Sequence, residues 1–375
     1  MANGSHFLGG TITWQLQNKS ATGTPVAVLI TQTYSWTYTS AICTSTMIAT
    51  NQLIPISVGS LTCSPICPVG FGTVSATPHC TDISVINGIT VGQHLDTVHI
   101  PTGSNFSIAF AGGAWGSLTS GGSSWSITSH VNLVLRTNNG KYNSAPVSTM
   151  MSPINIILNE STIITVPLSD ADGDVLRCRW ATSSNGVDEC ASVCPPSSLP
   201  SNTTIYSNCT IVITGSTVGN KFAVGLMVED FINSTSSVPL SSVPVQFIVK
   251  VIAPLSCIYQ PKLILPTESC TPIKVNETFT STLLAINNCG AIVTITDIST
   301  LSFSGMVQTS VIKFNSSVFY KNLTWTPTIN QVGYQPKFSL HNTVLHSMSH
   351  KMVRIHVLGL HTLQKQRQQQ QQQHP

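Results

Sequence analysis

Charged residues are scarce in this chain of 375 residues. Lysine and arginine together number 16 and aspartate and glutamate 13, so charged side chains make up 8% of the sequence and the formal net charge is +3. The small positive excess is not gathered into a patch within the part that looks folded, which argues against nucleic-acid binding. Helix formers such as Glu, Lys and Ala are also scarce, whereas Ser, Thr, Val and Ile are frequent, and this mixture favours strands.

Long apolar runs are missing as well. No run of 18 apolar residues occurs, so we expect no membrane span in this chain. The start, MANGSHFLGGTITW, lacks the basic and apolar parts of a secretory signal peptide. Because the cysteines described next indicate an extracellular protein, secreted or part of an ectodomain, we expect the natural start to lie upstream. The alternative is a cytosolic protein with free thiols.

Eleven cysteines fall into three groups along the chain. The groups are Cys43, Cys63, Cys67 and Cys80; Cys178, Cys190, Cys194 and Cys209; and Cys257, Cys270 and Cys289. Each group of four contains a Cys-x3-Cys-Pro element with one cysteine before it and one after it. Groups of four predict disulfides inside separate modules, and each group allows three connectivities. Zinc is the weaker interpretation, because the spacing within each pair is three rather than two and no histidine stands at ligand spacing.

Ten Asn-x-Ser/Thr sequons predict N-glycosylation. The candidate sites are Asn105, Asn159, Asn202, Asn233, Asn276, Asn315 and Asn322, and the remaining sequons begin at Asn3, Asn18 and Asn208. A chain rich in Ser and Thr matches this pattern often by chance, so the sequons support an extracellular glycoprotein less strongly than the cysteine groups do.

Strand-length runs separated by turn signals divide the chain into segments. We predict an all-β fold of tandem antiparallel β-sandwich modules, immunoglobulin- or cadherin-like. The segments are an N-terminal β-rich domain at 5–140, a cadherin-like β-sandwich at 147–252, a partial immunoglobulin-like β-sandwich at 254–335 and an atypical basic, Gln-rich tail at 336–375.

The tail differs in composition from the rest of the chain. No Asp or Glu follows Asp297, and the end reads QKQRQQQQQQHP, a low-complexity sequence that we expect to be disordered. The third segment has three cysteines and no visible closing strand, so we expect the tail to be foreign to it. A basic amphipathic helix over 350–363, lying on a membrane, is the alternative.

Three stretches carry a resemblance to a known family. They are VPLSDADGDVLRCRWA, VGLMVEDF and VPVQFIVKV, at 166–181, 224–231 and 243–251. Together they resemble the cadherin-like, dystroglycan-type β-sandwich modules of multidomain animal extracellular proteins. This resemblance implies a role in adhesion or matrix structure. Cys190, Cys194 and Cys209 depart from the usual cysteine-free module.

Seven of the 13 acids lie between positions 170 and 230. They are Asp170, Asp172, Asp174, Asp188, Glu189, Glu229 and Asp230. In a sandwich of this kind the loop that contains the first three and the loop after Asp230 lie at the same pole, so these acids, with Glu229, are expected to converge. Clustered carboxylates repel one another, and calcium suits alternating aspartates around a glycine.

We therefore predict a calcium site of Asp170, Asp172, Asp174 and Asp230 that stiffens the junction between the first two domains. The alternative is a polar turn in which aspartates bind backbone amides and Arg177 or Arg179 supplies the compensating charge.

These features predict a non-enzymatic extracellular protein for cell adhesion, matrix structure or ligand recognition. Its expected partners are cell-surface or matrix proteins, with glycans as further candidates. The alternative is a carbohydrate-binding protein in which Trp115 and Trp125 stack on sugar rings, although inward tryptophans usually fill sandwich cores, as expected for Trp180. Catalysis is disfavoured because no G-x-S-x-G element occurs and a surface Asp loop indicates no cleft.

Overall fold

The chain is built almost entirely from β-strands. The structure, a computed structural model, describes residues 6–184, 186–254, 256–257, 259, 261–264, 273–290, 293–328 and 331, and the backbone of 344–346 and 352–356. Its one helix in this part is α1 (Ser45–Ala49), whose N-cap is Thr44. The predicted fold class, all-β with tandem antiparallel β-sandwich units, is confirmed. No helix of the described residues has the length and apolar character needed to cross a membrane.

The first segment contains seven strands around an aromatic core. They are β1 (Phe7–Leu16), β2 (Val26–Thr37), β3 (Thr62–Ser64), β4 (His79–Ser84), β5 (Ile89–Ile100), β6 (Asn105–Gly113) and β7 (Ser124–Asn132). Alternate residues of β1, β2, β6 and β7 point inward, so that Phe7, Trp36, Phe110 and Trp125 meet in the core. The Phe7 ring lies 4.6 Å from that of Trp125 and 5.0 Å from that of Trp36, measured between centroids.

The second segment forms a two-layer unit. Its strands are β8 (Val147–Ser148), β9 (Ile154–Ile157), β10 (Thr162–Thr165), β11 (Leu168–Ser169), β12 (Val175–Trp180), β13 (Thr204–Ile205), β14 (Thr210–Ile213), β15 (Lys221–Phe231) and β16 (Ser241–Ile252). One layer contains β12, β15 and β16, and the other contains β10, β14 and β13. Ile164 and Ile211 from the second layer are buried in the same core as Val245 and Phe247 from the first.

The first two segments share one sheet through β16. Along one side β16 pairs with β15, and along the other it pairs in turn with β7, β1 and β9, giving the order β3-β6-β7-β16-β1-β2-β5-β4. At the crossing, Gly9 has a φ of +139°, and a Cβ there would lie 2.2 Å from the carbonyl oxygen of Gln246. Only glycine allows so close an approach. The two segments also share one hydrophobic core. Whether 5–140 and 147–252 fold as separate domains therefore stays a prediction.

The third segment has a core of its own. Its strands are β17 (Lys262–Ile264), β18 (Phe279–Ile286), β19 (Thr294–Ser299), β20 (Val307–Gln308), β21 (Ile312–Lys313), β22 (Val318–Trp325), β23 (Val344–His346) and β24 (Met352–His356). The first sheet has the order β17-β18-β22-β20 with β21 also on β22, and the second has the order β19-β24-β23. Leu283, Phe303, Phe319 and Trp325 are buried in this core.

Part of the tail is strand. Because β24 pairs in parallel with β19, residues 352–356 belong to a sheet of the third segment, and the helix considered for 350–363 is wrong over this stretch. The expectation that the tail is foreign to the third segment gains no support from this pairing. The glutamine run and the rest of the tail predicted to be disordered lie outside the described residues.

A candidate junction site

The disulfides follow one scheme in both groups of four. The structure pairs Cys43 with Cys80, Cys63 with Cys67, Cys178 with Cys209, Cys190 with Cys194, and Cys257 with Cys289. In each group the outer cysteines pair and the inner Cys-x3-Cys pair closes its own loop, which was one of the three connectivities left open. A disulfide that closes a loop of some 30–40 residues reduces the entropy of the unfolded chain and so stabilises the folded state by about 4 kcal/mol. Cys270 lies outside the described residues.

The Asp-rich loop between β11 and β12 is a hydrogen-bonded turn. The Oδ1 atom of Asp170 accepts hydrogen bonds from the backbone amides of Asp172 at 2.8 Å and Asp174 at 2.9 Å. Gly173 between them has a φ of +79°. One carboxylate oxygen from each of the three aspartates lies within 4.8 Å of the others. The loop therefore brings three predicted ligands together in the turn that the alternative interpretation described.

The buried cation at this loop is Arg136, at the end of the first segment. Its guanidinium binds both carboxylate oxygens of Asp174, with Nη1 2.8 Å from Oδ2 and Nη2 in close contact with Oδ1. Both side chains are 4% exposed. The Nη1 atom also lies 3.5 Å from Asp172 Oδ2. A bidentate, buried pair of this kind fixes geometry as well as charge.

Arg177 and Arg179, the cations named in the alternative interpretation, have other partners, so that part of the prediction is wrong. Arg177 lies 4.2 Å from the centre of the Phe231 ring and donates to the backbone carbonyls of residues 233, 234 and 236. Arg179 pairs with Glu189 and Glu229, so Glu229 does not join the Asp loop. Both arginines alternate with Cys178 on β12, so their side chains leave the strand on the face opposite this buried cysteine. Arg136 was not identified from the sequence, because nothing in LRTNNG indicates a contact with a loop 34 positions later. The available signal was its position next to a linker in a chain with few charges.

The linker after Arg136 is bound to the same site. The backbone amide of Ser144 donates to Asp172 Oδ2 at 2.7 Å, and the Asn143 side-chain amide donates to Asp230 Oδ2 at 2.6 Å. Lys19, from the turn between β1 and β2, lies 3.4 Å from Asp172 Oδ1. First-segment and linker donors thus converge on acids of the second segment.

Burial sets the protonation of two acids at the junction. Asp230 is fully buried and also accepts from the amide and hydroxyl of Ser241 at 2.6 and 2.8 Å, yet desolvation outweighs these bonds and raises its pKa to about 7. The pKa of Asp170 rises to about 6 for the same reason. The charge of Asp170 adds to the increase at Asp230, so the two carboxyls are electrostatic neighbours.

The four predicted calcium ligands fit the ion only in part. Among the residues described, every carboxylate oxygen of Asp170, Asp172, Asp174 and Asp230 faces a protein donor except Asp170 Oδ2, which is buried without a hydrogen bond. Calcium takes six to eight oxygen ligands. An ion at this loop would have to replace Arg136, so the calcium site stays a prediction.

The tryptophans proposed for sugar stacking are in the core. Trp115 and Trp125 are each 3% exposed, and both pack against Phe7. Neither ring offers a face to a ligand, which corrects the basis of the carbohydrate-binding alternative. Trp180, expected in the core, is half-buried and packs against the core from outside.

The sequons lie mostly at the surface. Eight begin at an exposed asparagine: Asn18, Asn105, Asn159, Asn202, Asn208, Asn233, Asn276 and Asn315. Asn322 is half-buried on β22, where its Oδ1 accepts from the Thr282 hydroxyl at 2.9 Å. Asn3 lies outside the described residues. Asn322 is therefore the predicted glycosylation site that the fold leaves least accessible.

Comparisons with known proteins assign no family to this chain. No family model and no curated protein matches this chain. Among solved structures, the chain is similar to the N-terminal eight Ig domains of Down Syndrome Cell Adhesion Molecule (DSCAM) isoform 1.30.30, with a TM-score of 0.18 and 10% sequence identity. The similarity covers 86% of this chain and 38% of that one. At this TM-score it supports no conclusion about family or function.

Proposed function

We propose that this chain is a non-enzymatic, extracellular modular protein for cell adhesion, matrix structure or ligand recognition, with cell-surface or matrix proteins as partners. The observation that carries the proposal is the junction, where Arg136 is held by Asp174, and the linker residues Asn143 and Ser144 are held by Asp230 and Asp172. Such a junction holds the first two segments in one orientation, which suits a protein whose work is contact.

The acids of this site favour a structural role over catalysis. General acid–base chemistry needs a carboxyl whose proton can reach a substrate. Here Asp230 is fully buried and bound by Asn143 and Ser241, and Asp174 is covered by Arg136. The five disulfides favour an oxidising compartment. The exposed sequons agree with an extracellular glycoprotein.

The proposal can be tested on the chain produced behind a heterologous secretion signal in animal cells. We expect secretion, a loss of mass on enzymatic removal of N-glycans, and aggregation of beads coated with the native chain or their attachment to cells. Beads coated with the reduced, alkylated chain are the matched control. Eleven titratable thiols in freshly isolated native protein would overturn the extracellular assignment, and equal behaviour of both bead types would overturn adhesion.

Calcium at the junction is a second, separable proposal. It is supported by the buried Oδ2 atom of Asp170, which lacks a protein donor in the described part of the chain. If an ion binds there, millimolar calcium should raise the melting temperature, magnesium should do so less, and Asp172→Asn should remove the effect. A wild-type melting temperature that does not respond to calcium would discard the ion without affecting the Arg136 junction.

A further inference from the structure

The third segment folds back onto the edge strand β4 of the first. Asp82 of β4 is 5% exposed, and its carboxylate accepts from three residues of the third segment. The Thr300 hydroxyl and the Ser302 amide donate at 2.5 Å each, and the Ser302 hydroxyl donates at 3.1 Å. The Gln308 side-chain amide is in close contact with the same carboxylate. A carboxylate of the first segment is thus enclosed by donors from residues more than 200 positions away.

The exchange is reciprocal. Asp297 of the third segment accepts from the Ser84 hydroxyl at 2.5 Å and the Asn87 side-chain amide at 3.1 Å. Ser304 of the third segment donates to the side chain of Asn51, beside β4. We call the contact of Asp82, Asp297 and their donors the aspartate interface. Each side supplies one buried carboxylate and the donors for the other.

The aspartate interface is polar and not closely packed along its margin. A cavity of about 50 Å³ lies between β1, β2 and β5 of the first segment, residues 147–149 of the second and residues 301–303 of the third. The side-chain oxygens Thr11 Oγ1 and Gln93 Oε1 in its lining are buried without a hydrogen bond among the residues described. Polar contacts of this kind between units resemble transient interfaces more than obligate ones. The third segment is therefore suited to docking that can open.

Among the side chains that the structure describes, few charges face Asp82. The cation that acts on it is Lys321 of β22, whose Nζ donates to the Ile298 carbonyl at 2.8 Å and lies 3.8 Å from Asp297 Oδ1. His79 of β4 is the nearby histidine of the same strand, and its Nδ1 lies 2.7 Å from the Asn51 carbonyl oxygen. Because Lys321 is shared with Asp297, it does not offset the burial of Asp82, and desolvation raises the Asp82 pKa to about 6.

We propose that the aspartate interface is a pH-sensitive latch, in which acidification from pH 7 to pH 5 tightens the docking of the third segment on β4. Asp82 binds a proton more tightly when docked than when exposed, so the docked state is favoured below the docked pKa and this advantage is lost as the pH rises through about 6. The protonated carboxyl can donate to the Thr300 or Ser302 hydroxyl, since either can rotate to accept.

The size of the effect can be stated. With a pKa of about 6 docked and the ordinary value of 3.8 undocked, the docking equilibrium constant should increase about tenfold between pH 7 and pH 5. The proposal does not rest on the proposed function, because it concerns the chain alone in any compartment that acidifies.

Hydrogen exchange of the full chain tests the latch. The Ser302 amide reports on docking directly, because it donates to Asp82. After division by the intrinsic rates at each pH, we expect exchange at 300–308 to be about tenfold slower at pH 5 than at pH 7. Asp82→Asn should remove the pH dependence of these amides. Asp96→Asn, at a half-exposed aspartate of β5 paired with His94, is the matched control and should keep it.

Two results would overturn the latch: protection at 300–308 that is equal at both pH values in the wild type, or a pH dependence that survives in Asp82→Asn. If Asp82→Asn does not fold, Gln308→Ala gives an independent measurement. Removing this donor from the carboxylate should raise the Asp82 pKa, so the midpoint of the protection change should move to higher pH. An unmoved midpoint would also reject the proposal.

Discussion

Replacing Arg136 with glutamine would leave Asp174 as a buried carboxylate without its cation. Both side chains are 4% exposed, so water can do little to compensate the charge. Removing one partner of a buried ion pair costs about 3–5 kcal/mol, much of it from the stranded charge. For a unit the size of the first two segments this corresponds to a melting temperature lower by about 6–20 °C.

The assay is chemical and thermal denaturation of the full chain, with Lys19→Gln as the matched control. Lys19 touches the same loop, at 3.4 Å from Asp172, but its side chain is 50% exposed. Exposed pairs contribute about 0–1 kcal/mol, so this variant should lose at most that amount. Combining Arg136→Gln with Asp174→Asn removes the stranded charge and should recover part of the loss.

If Arg136→Gln is no more destabilising than Lys19→Gln, the Arg136–Asp174 pair does not hold the junction. The same follows if adding Asp174→Asn to Arg136→Gln makes the protein still less stable, because the cost would then come from lost packing and not from an uncompensated carboxylate. Either result would show that the Arg136–Asp174 pair does not hold the junction together, and the proposed function would then lose its main support.

Further predictions concern protonation, thiols and the shared sheet. The free energy of unfolding in urea should increase as the pH falls from 8 to 5, because Asp230 and Asp170, with pKa values of about 7 and about 6, bind protons in the folded chain that they release on unfolding. This increase should be smaller in Asp230→Asn. A free energy of unfolding that decreases over the same range in the wild type would contradict the two pKa values. In denaturant without reductant, a thiol reagent should titrate one cysteine per chain, and eleven after reduction, since five disulfides use ten. Gly9→Ala should lower the free energy of unfolding by about 3 kcal/mol or more, because its Cβ would lie 2.2 Å from the Gln246 carbonyl oxygen. Gly23→Ala is the control, with a φ of +90° but open space around the new Cβ, and should lower it by about 1 kcal/mol. Equal losses in the two variants would argue against the close crossing of β1 and β16.

Local pattern predicted the strands that turn signals separate clearly. The runs that became β1, β2, β6 and β7 were predicted because they have the length of strands and lie between clusters of Gly, Ser and Asn. β5 was missed, because ITVGQHLDTVHI carries a glycine, two histidines and an aspartate that obscure its alternation. In the sequence of β16, Val245, Phe247, Val249 and Val251 alternate with other residues, which predicts one buried face. The structure buries nearly all of the strand, because neighbours cover both of its faces. A local sequence pattern can therefore predict a strand, whereas the solvent exposure of that strand depends on the elements that pack against it.

The sequence by itself determined the all-β class, the division of the cysteines into groups and the clustering of acids near 170–174, because strand propensity, cysteine spacing and charge density are local properties. Tertiary structure alone decided which cysteines pair, that Arg136 neutralises Asp174, and that Asp82 is enclosed by the third segment. Apart from the two disulfides within Cys-x3-Cys elements, each of these depends on contacts between residues tens to hundreds of positions apart. Such contacts form only when sheets pack, and the scarcity of charge in this chain means that each buried carboxylate takes its partners from wherever the packing brings a donor.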